Sequence, residues 1–74
     1  MATEQITNEI RLLRFLAQDM TQAELGKRVG LTRQTIAAIE QGRYSPSLET
    51  AFRIADVFGK QIDEVFHWLG APTT

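Results

Sequence analysis

The sequence predicts an all-α domain of five short helices, and three kinds of signal carry that prediction. Apolar residues recur at three- and four-residue spacing, and no segment alternates apolar with polar for long enough to make a strand. Hydroxyl residues that favour helix starts stand at Thr21, Thr32 and Ser47. Glycines that favour helix ends follow at Gly30, Gly42 and Gly59.

The first helix is expected over about Thr7 to Gln18, with Ile10, Leu13, Leu16 and Ala17 as its inward stripe. The second opens at "TQAEL", where Thr21 caps the helix and Glu24 completes a capping box, and it ends at Gly30. The third starts after Thr32 and ends near Gln41, with Gly42 as the stop. Pro46 drives Ser45 towards an extended conformation, so the chain turns there. A fourth helix then follows Ser47 with Leu48, Ala51, Ala55 and Phe58 on one face. The fifth is expected from about Ile62 to Leu69, with Val65, Phe66 and Leu69 inward.

The connection between the second and third helices is only Gly30, Leu31 and Thr32. A glycine-containing turn of this length between short helices is the mark of a helix-turn-helix. Gly26 faces the crossing, where a small residue lets two helices approach closely. Leu25, Val29, Leu31, Ile36 and Ile39 are apolar where the crossed helices meet their supports.

Composition bounds what such a domain can be. Seventy-four residues, 43% of them hydrophobic, support one small core. Residues 7–69 are read as the domain, with a flexible N-terminus at 1–6 and a flexible tail at 70–74. Without cysteine there is no disulfide, thiolate metal site or cysteine nucleophile. The apolar runs are too short to span a membrane, and "MATEQITNEI" lacks the pattern of a signal peptide, so a cytoplasmic location is expected. The net charge of −1 is unlike the strongly basic balance common in nucleic-acid binders. The charges are unevenly placed, however. Lys27, Arg28, Arg33, Arg43 and Arg53 outnumber the acids between residues 21 and 53, whereas Asp56, Asp63 and Glu64 dominate the end.

On a helical wheel Ile36 and Ile39 define the buried side of the third helix. Gln34, Ala37, Ala38 and Gln41 point the opposite way, and Arg33 lies on the flank at the leading end. Arginine can donate two hydrogen bonds to guanine, glutamine can pair with adenine, and alanine lets a helix sit deep against a thymine methyl. Helices that enter the major groove contact bases mostly from their N-terminal residues. A small, uncharged face with its specifying groups at the front suits that task.

"TQAELGKRVGLTRQTIAAIEQGRYSPSLETAFRIADVFGKQIDEVF" resembles the lambda-repressor and Cro-like, or xenobiotic response element, family of helix-turn-helix transcriptional regulators, and is closest to its minimal single-domain members. The resemblance covers about residues 10 to 66. It implies a lambda-repressor-like fold and a recognition helix at about 33–41. Thr32, Arg33, Gln34 and Ala38 match positions that face bases. Gln22 matches a residue that touches a phosphate and braces the recognition helix. Arg43 and Tyr44 match backbone-contacting positions, and Arg28 would add a cation for phosphates. Arg14 matches an arginine that pairs with the glutamate corresponding to Glu40. One departure is that "RFLAQDMTQ" is a residue longer than the commonest spacing, an excess expected to be absorbed around Asp19. Another is that Ala37 and Ala38 replace longer polar residues, which leaves direct readout resting on Arg33 and Gln34.

His67 has no second ligand at metal spacing, and with Asp63 and Glu64 it reads as a solvated helix face. No nucleophile motif accompanies them, so neither an enzyme nor a metal or cofactor site is expected. Phe66, Trp68 and Leu69 offer more large apolar surface than one small core needs, which points to a homodimer contact. The expected function is therefore that of a DNA-binding regulator, a repressor, acting as a homodimer on an inverted-repeat operator in double-stranded DNA. No membrane partner or small-molecule effector is indicated. The competing reading is a protein-interaction module on the same fold, an antitoxin or adaptor.

Overall fold

The computed structural model describes residues 6–70. Of the two expected tails, residues 1–5 and 71–74 lie outside the described residues. Ile6 opens a short strand, β1 (Ile6–Asn8). Five helices follow: α1 (Ile10–Leu16), α2 (Gln22–Val29), α3 (Arg33–Glu40), α4 (Leu48–Val57) and α5 (Ile62–Val65). A second strand, β2 (Phe66–Trp68), closes the chain against β1 in an antiparallel pair, with Asn8 opposite Phe66 and Ile6 opposite Trp68.

The helix starts follow from local chemistry. Thr21, Thr32 and Ser47 each hold an extended backbone and accept a hydrogen bond from the N–H three residues on, which satisfies a donor that has no partner inside the helix. Only half of the capping box expected at Thr21 forms, because the Glu24 carboxylate is taken by Arg28 Nε at 2.8 Å. At α5 the Glu64 carboxylate reaches back to accept from Gln61 N at 2.8 Å, and the Glu64 N–H donates to the Gln61 carbonyl at 2.9 Å.

A single core gathers Ile10, Leu25, Val29, Ile36, Ile39, Ile54, Ala55 and Val65, with Leu13, Met20, Leu31, Phe58 and Phe66 packed on its edges. Three residues expected inward are on the surface. Leu16, at the last position of α1, is 66% exposed, because the helix ends before turning it onto the core. Leu48 is the first residue of α4, and the buried face of that helix is made by Ala51, Ile54 and Ala55. Leu69 lies beyond β2 and is exposed.

Both ends of the chain also depart from the expected helices. The first helix begins at Ile10 rather than Thr7, and the fifth stops at Val65 rather than Leu69. The residues so released, Ile6-Thr7-Asn8 and Phe66-His67-Trp68, are β-branched or aromatic for the most part and pair across almost the whole sequence. Three-residue strands are too short for alternation to be visible, and their pairing is non-local.

Candidate nucleic-acid interface

The crossing of α2 and α3 is set by two glycines. Gly30 caps α2 in the left-handed conformation at φ 79°, and the Leu31 N–H donates back to the Gly26 carbonyl at 2.8 Å. Gly26 is buried, and a Cβ built on it would lie 2.5 Å from the Leu31 carbonyl oxygen. No side chain fits there without moving backbone.

The far end of α3 is closed in the same manner. Gly42, at φ 77°, donates to Ile39 O at 3.0 Å, and Arg43 N donates to Ala38 O at 2.9 Å. The α3 orientation is held from behind by an ion pair. Arg14 on α1 donates through Nε to Glu40 Oε2 at 2.6 Å and through Nη2 to Glu40 Oε1 at 3.1 Å. Gln22 Nε2, at the start of α2, donates to Glu40 Oε1 at 3.2 Å. One carboxylate thus ties three helices together. The remaining Arg14 nitrogen, Nη1, donates to Met20 O at 2.8 Å and anchors the turn before α2. That turn contains Gln18 and Asp19, both left-handed at φ 59° and 57°.

With Glu40 turned back, the outward side of α3 carries no acid. Arg33, Gln34 and Gln41 are exposed, and Ala37 and Ala38 are half-buried between them. Thr32 is exposed, but its hydroxyl oxygen accepts from Thr35 N at 3.1 Å and lies 3.0 Å from Thr35 Oγ1. Around this face, Arg43 and Tyr44 stand exposed just after α3. Arg28 is exposed on α2 and leans on Glu24, whose pKa is lowered below the ordinary carboxylate value chiefly by the Arg28 hydrogen bond; desolvation opposes that shift, and the charges of Arg28 and Lys27 add to it.

An open groove of about 510 Å³ runs beside the start of α2, lined among others by Arg11, Gln22 and Arg33. Arg11 was not singled out from the sequence. Its place one turn before Arg14 was the available signal, since i and i+3 residues share a helix side. At the C-terminal strand Phe66 packs on the core, while Trp68 and the following Leu69 are 69% and 60% exposed. His67 Nε2 lies 3.1 Å from Glu9 Oε2. Among the described residues no cluster of three or more His, Cys, Asp or Glu could hold a metal ion, and no helix is long and apolar enough to cross a membrane.

Residues 10–65 match the family model described as Helix-turn-helix. The chain belongs to that family, in its xenobiotic-response-element branch. The match takes in α1 to α5 and leaves the two strands outside. This helix-turn-helix chain is 48% identical over 59 residues to an HTH-type transcriptional regulator of Methanocaldococcus jannaschii, covering 80% of this chain and 88% of that protein. It is 58% identical over 48 residues to one from Methanothermobacter thermautotrophicus, covering 64% and 70% respectively. A more distant relative is the cryptic phage CTXphi transcriptional repressor of Vibrio cholerae, 36% identical over 59 residues, covering 80% of this chain and 52% of the repressor. The family is thus one of transcriptional regulators that includes phage repressors.

Proposed function

We propose that this helix-turn-helix protein is a sequence-specific repressor that binds an inverted repeat in double-stranded DNA as a homodimer, with α3 in the major groove. The observation that carries the reading is the outward face of α3: exposed Arg33 and Gln34 at its leading end, small alanines behind them, and the one carboxylate of the helix turned inward to Arg14. Arg33 reads guanine and Gln34 reads adenine. Ala38 lies against a thymine methyl, and Thr32, its hydroxyl committed to the cap, contributes its own methyl.

Phosphates are met by Gln22, Arg28, Arg43 and Tyr44, and by Arg11 across the groove beside Gln22. Gln22 keeps its amide oxygen free of the Glu40 contact, so it braces α3 and approaches the backbone together. The exposed Trp68 and Leu69, with the rim of Phe66, make the contact between protomers. Two recognition helices about one turn of DNA apart then read two half-sites. Repression is steric, through occupation of the operator. No cofactor takes part.

The test is fluorescence anisotropy with a random-sequence duplex over a range of salt. If each protomer of a dimer neutralises three phosphates through Arg11, Arg28 and Arg43, log K falls with log salt at a slope of about −5. Folded protein that ignores duplex DNA even at low salt would refute the reading and favour a protein-interaction module.

A further inference from the structure

Asn8 makes two hydrogen bonds that link elements far apart in the chain. Its Oδ1 accepts from Ile10 N at 3.1 Å, which caps the opening of α1. Its Nδ2 donates to Ile39 O at 3.0 Å, in the last turn of α3. That carbonyl already accepts from Gly42 N, so Asn8 binds α3 at the point where the helix closes. Its backbone is in β1 directly opposite Phe66 of β2, and the adjoining Glu9 N donates to Val65 O at 2.8 Å. A continuous set of contacts therefore runs from the strand that carries Trp68, through Asn8, to the end of α3.

We infer that Asn8 is a positioning residue for DNA recognition: its amide donor fixes the C-terminal end of α3 to the strand pair. The inference rests on the DNA-binding reading above for its consequence, but its geometry stands apart from it. Arg14 and Gln22 hold α3 from the side of α1 and α2, through Glu40. Asn8 is the corresponding hold from the side of the strands. A helix that delivers Arg33 and Gln34 to base edges must be held at both sides, since base contacts depend on position far more than phosphate contacts do. Where the protomers join through β2, the same strap transmits the geometry of the junction to the spacing of the two recognition helices.

The two functions of the Asn8 side chain can be separated. Asn8→Asp keeps the oxygen that caps α1 and replaces the donor to Ile39 O with a second acceptor. Asn8→Ala removes both bonds. Amide hydrogen exchange is measured by NMR on the free proteins, and affinity is measured for random duplex and for the sequence that the wild-type protein selects. In Asn8→Asp the amides of Gln41, Gly42 and Arg43 are expected to exchange about three- to tenfold faster while those at Leu13 and Arg14 hold their protection. Affinity for the selected sequence should fall by a similar factor and that for random duplex by less than about twofold. Asn8→Ala should add faster exchange in α1. Wild-type protection at residues 41–43 in Asn8→Asp would overturn the inference, as would a uniform rise across the whole domain. If the wild-type protein selects no sequence, the DNA reading fails, and the exchange pattern still decides whether Asn8 holds α3.

Discussion

Arg14 of α1 and Glu40 of α3 form a two-bond ion pair, 2.6 Å from Nε to Oε2 and 3.1 Å from Nη2 to Oε1, with side chains only 15% and 8% exposed. A planar guanidinium matched to a carboxylate in this fork is the strong form of the interaction. Removing one partner leaves the other buried and charged, which costs about 3–5 kcal/mol. A 74-residue domain has about 4–11 kcal/mol of stability in total. Arg14→Ala is therefore expected to unfold much of the population in urea titrations at room temperature. Arg14→Met combined with Glu40→Leu should recover most of the loss, since two apolar groups replace two charges. A single variant within about 1 kcal/mol of the parent would contradict a structural role for the pair.

Gly26→Ala places a methyl against the Leu31 carbonyl, and the turn must shift to admit it. Overpacking of this kind costs about 1–3 kcal/mol. Gly30→Ala meets open space and suffers only from its φ of 79°, a penalty of about 1–2 kcal/mol. The distinguishing readout is DNA binding by the folded fraction. Gly26→Ala should lose it through the altered α2–α3 angle, whereas Gly30→Ala should retain it.

Gln18 and Asp19 are consecutive left-handed residues, the second of a type that tolerates the conformation better than the first. Gln18→Gly should raise stability by about 0.5–1 kcal/mol, the relief of strain exceeding the entropy of the added glycine. Differential scanning calorimetry then shows a melting temperature higher by a few degrees, about 2–8 °C. An unchanged or lowered melting temperature would show that the turn is not strained there.

The Glu24 carboxyl is held below its ordinary pKa by the hydrogen bond from Arg28. A depressed carboxylate contributes stability above its unfolded-state pKa, and that contribution disappears as pH falls through the folded value. Glu24→Gln should thus be slightly less stable than the parent at neutral pH, with the difference vanishing in acid. The same change frees Arg28 and removes a negative charge beside the DNA. Binding to random duplex should tighten, with a steeper salt dependence. If binding is unaltered, Arg28 does not meet a phosphate.

Arg33→Ala should cost about 1–3 kcal/mol at one base pair of each half-site and relax the preference there. Competition between duplexes altered at single positions measures this directly. Equal losses on every sequence would assign Arg33 to the backbone instead.

The sequence carried the elements with local signals. The caps at Thr21, Thr32 and Ser47 and the stops at Gly30, Gly42 and Gly59 lie within a few residues of what they terminate, so their effect can be read directly. The helix-turn-helix was equally legible, because its turn needs a glycine and its crossing needs Gly26. What escaped depended on distance in sequence. The β1–β2 pair joins Ile6–Asn8 to Phe66–Trp68, and neither strand is long enough to show a period. The expected face of Leu48, Ala51, Ala55 and Phe58 leaves out Ile54, which is buried beside Ala51 and Ala55 on α4. The candidate interface followed the same rule. The outward face of α3 was visible by periodicity, while Asn8 behind the helix owes its place to a hydrogen bond between residues 31 apart in the chain.

Base reading by α3 is tested by selection of bound sequences from a random double-stranded library at about 100 mM salt, followed by sequencing. A two-fold symmetric motif with half-sites about one helical turn apart is the result expected of a dimer that reads bases with α3. Folded protein that enriches no sequence would contradict it, and would mean that the face of Arg33, Gln34 and Ala38 does not read DNA.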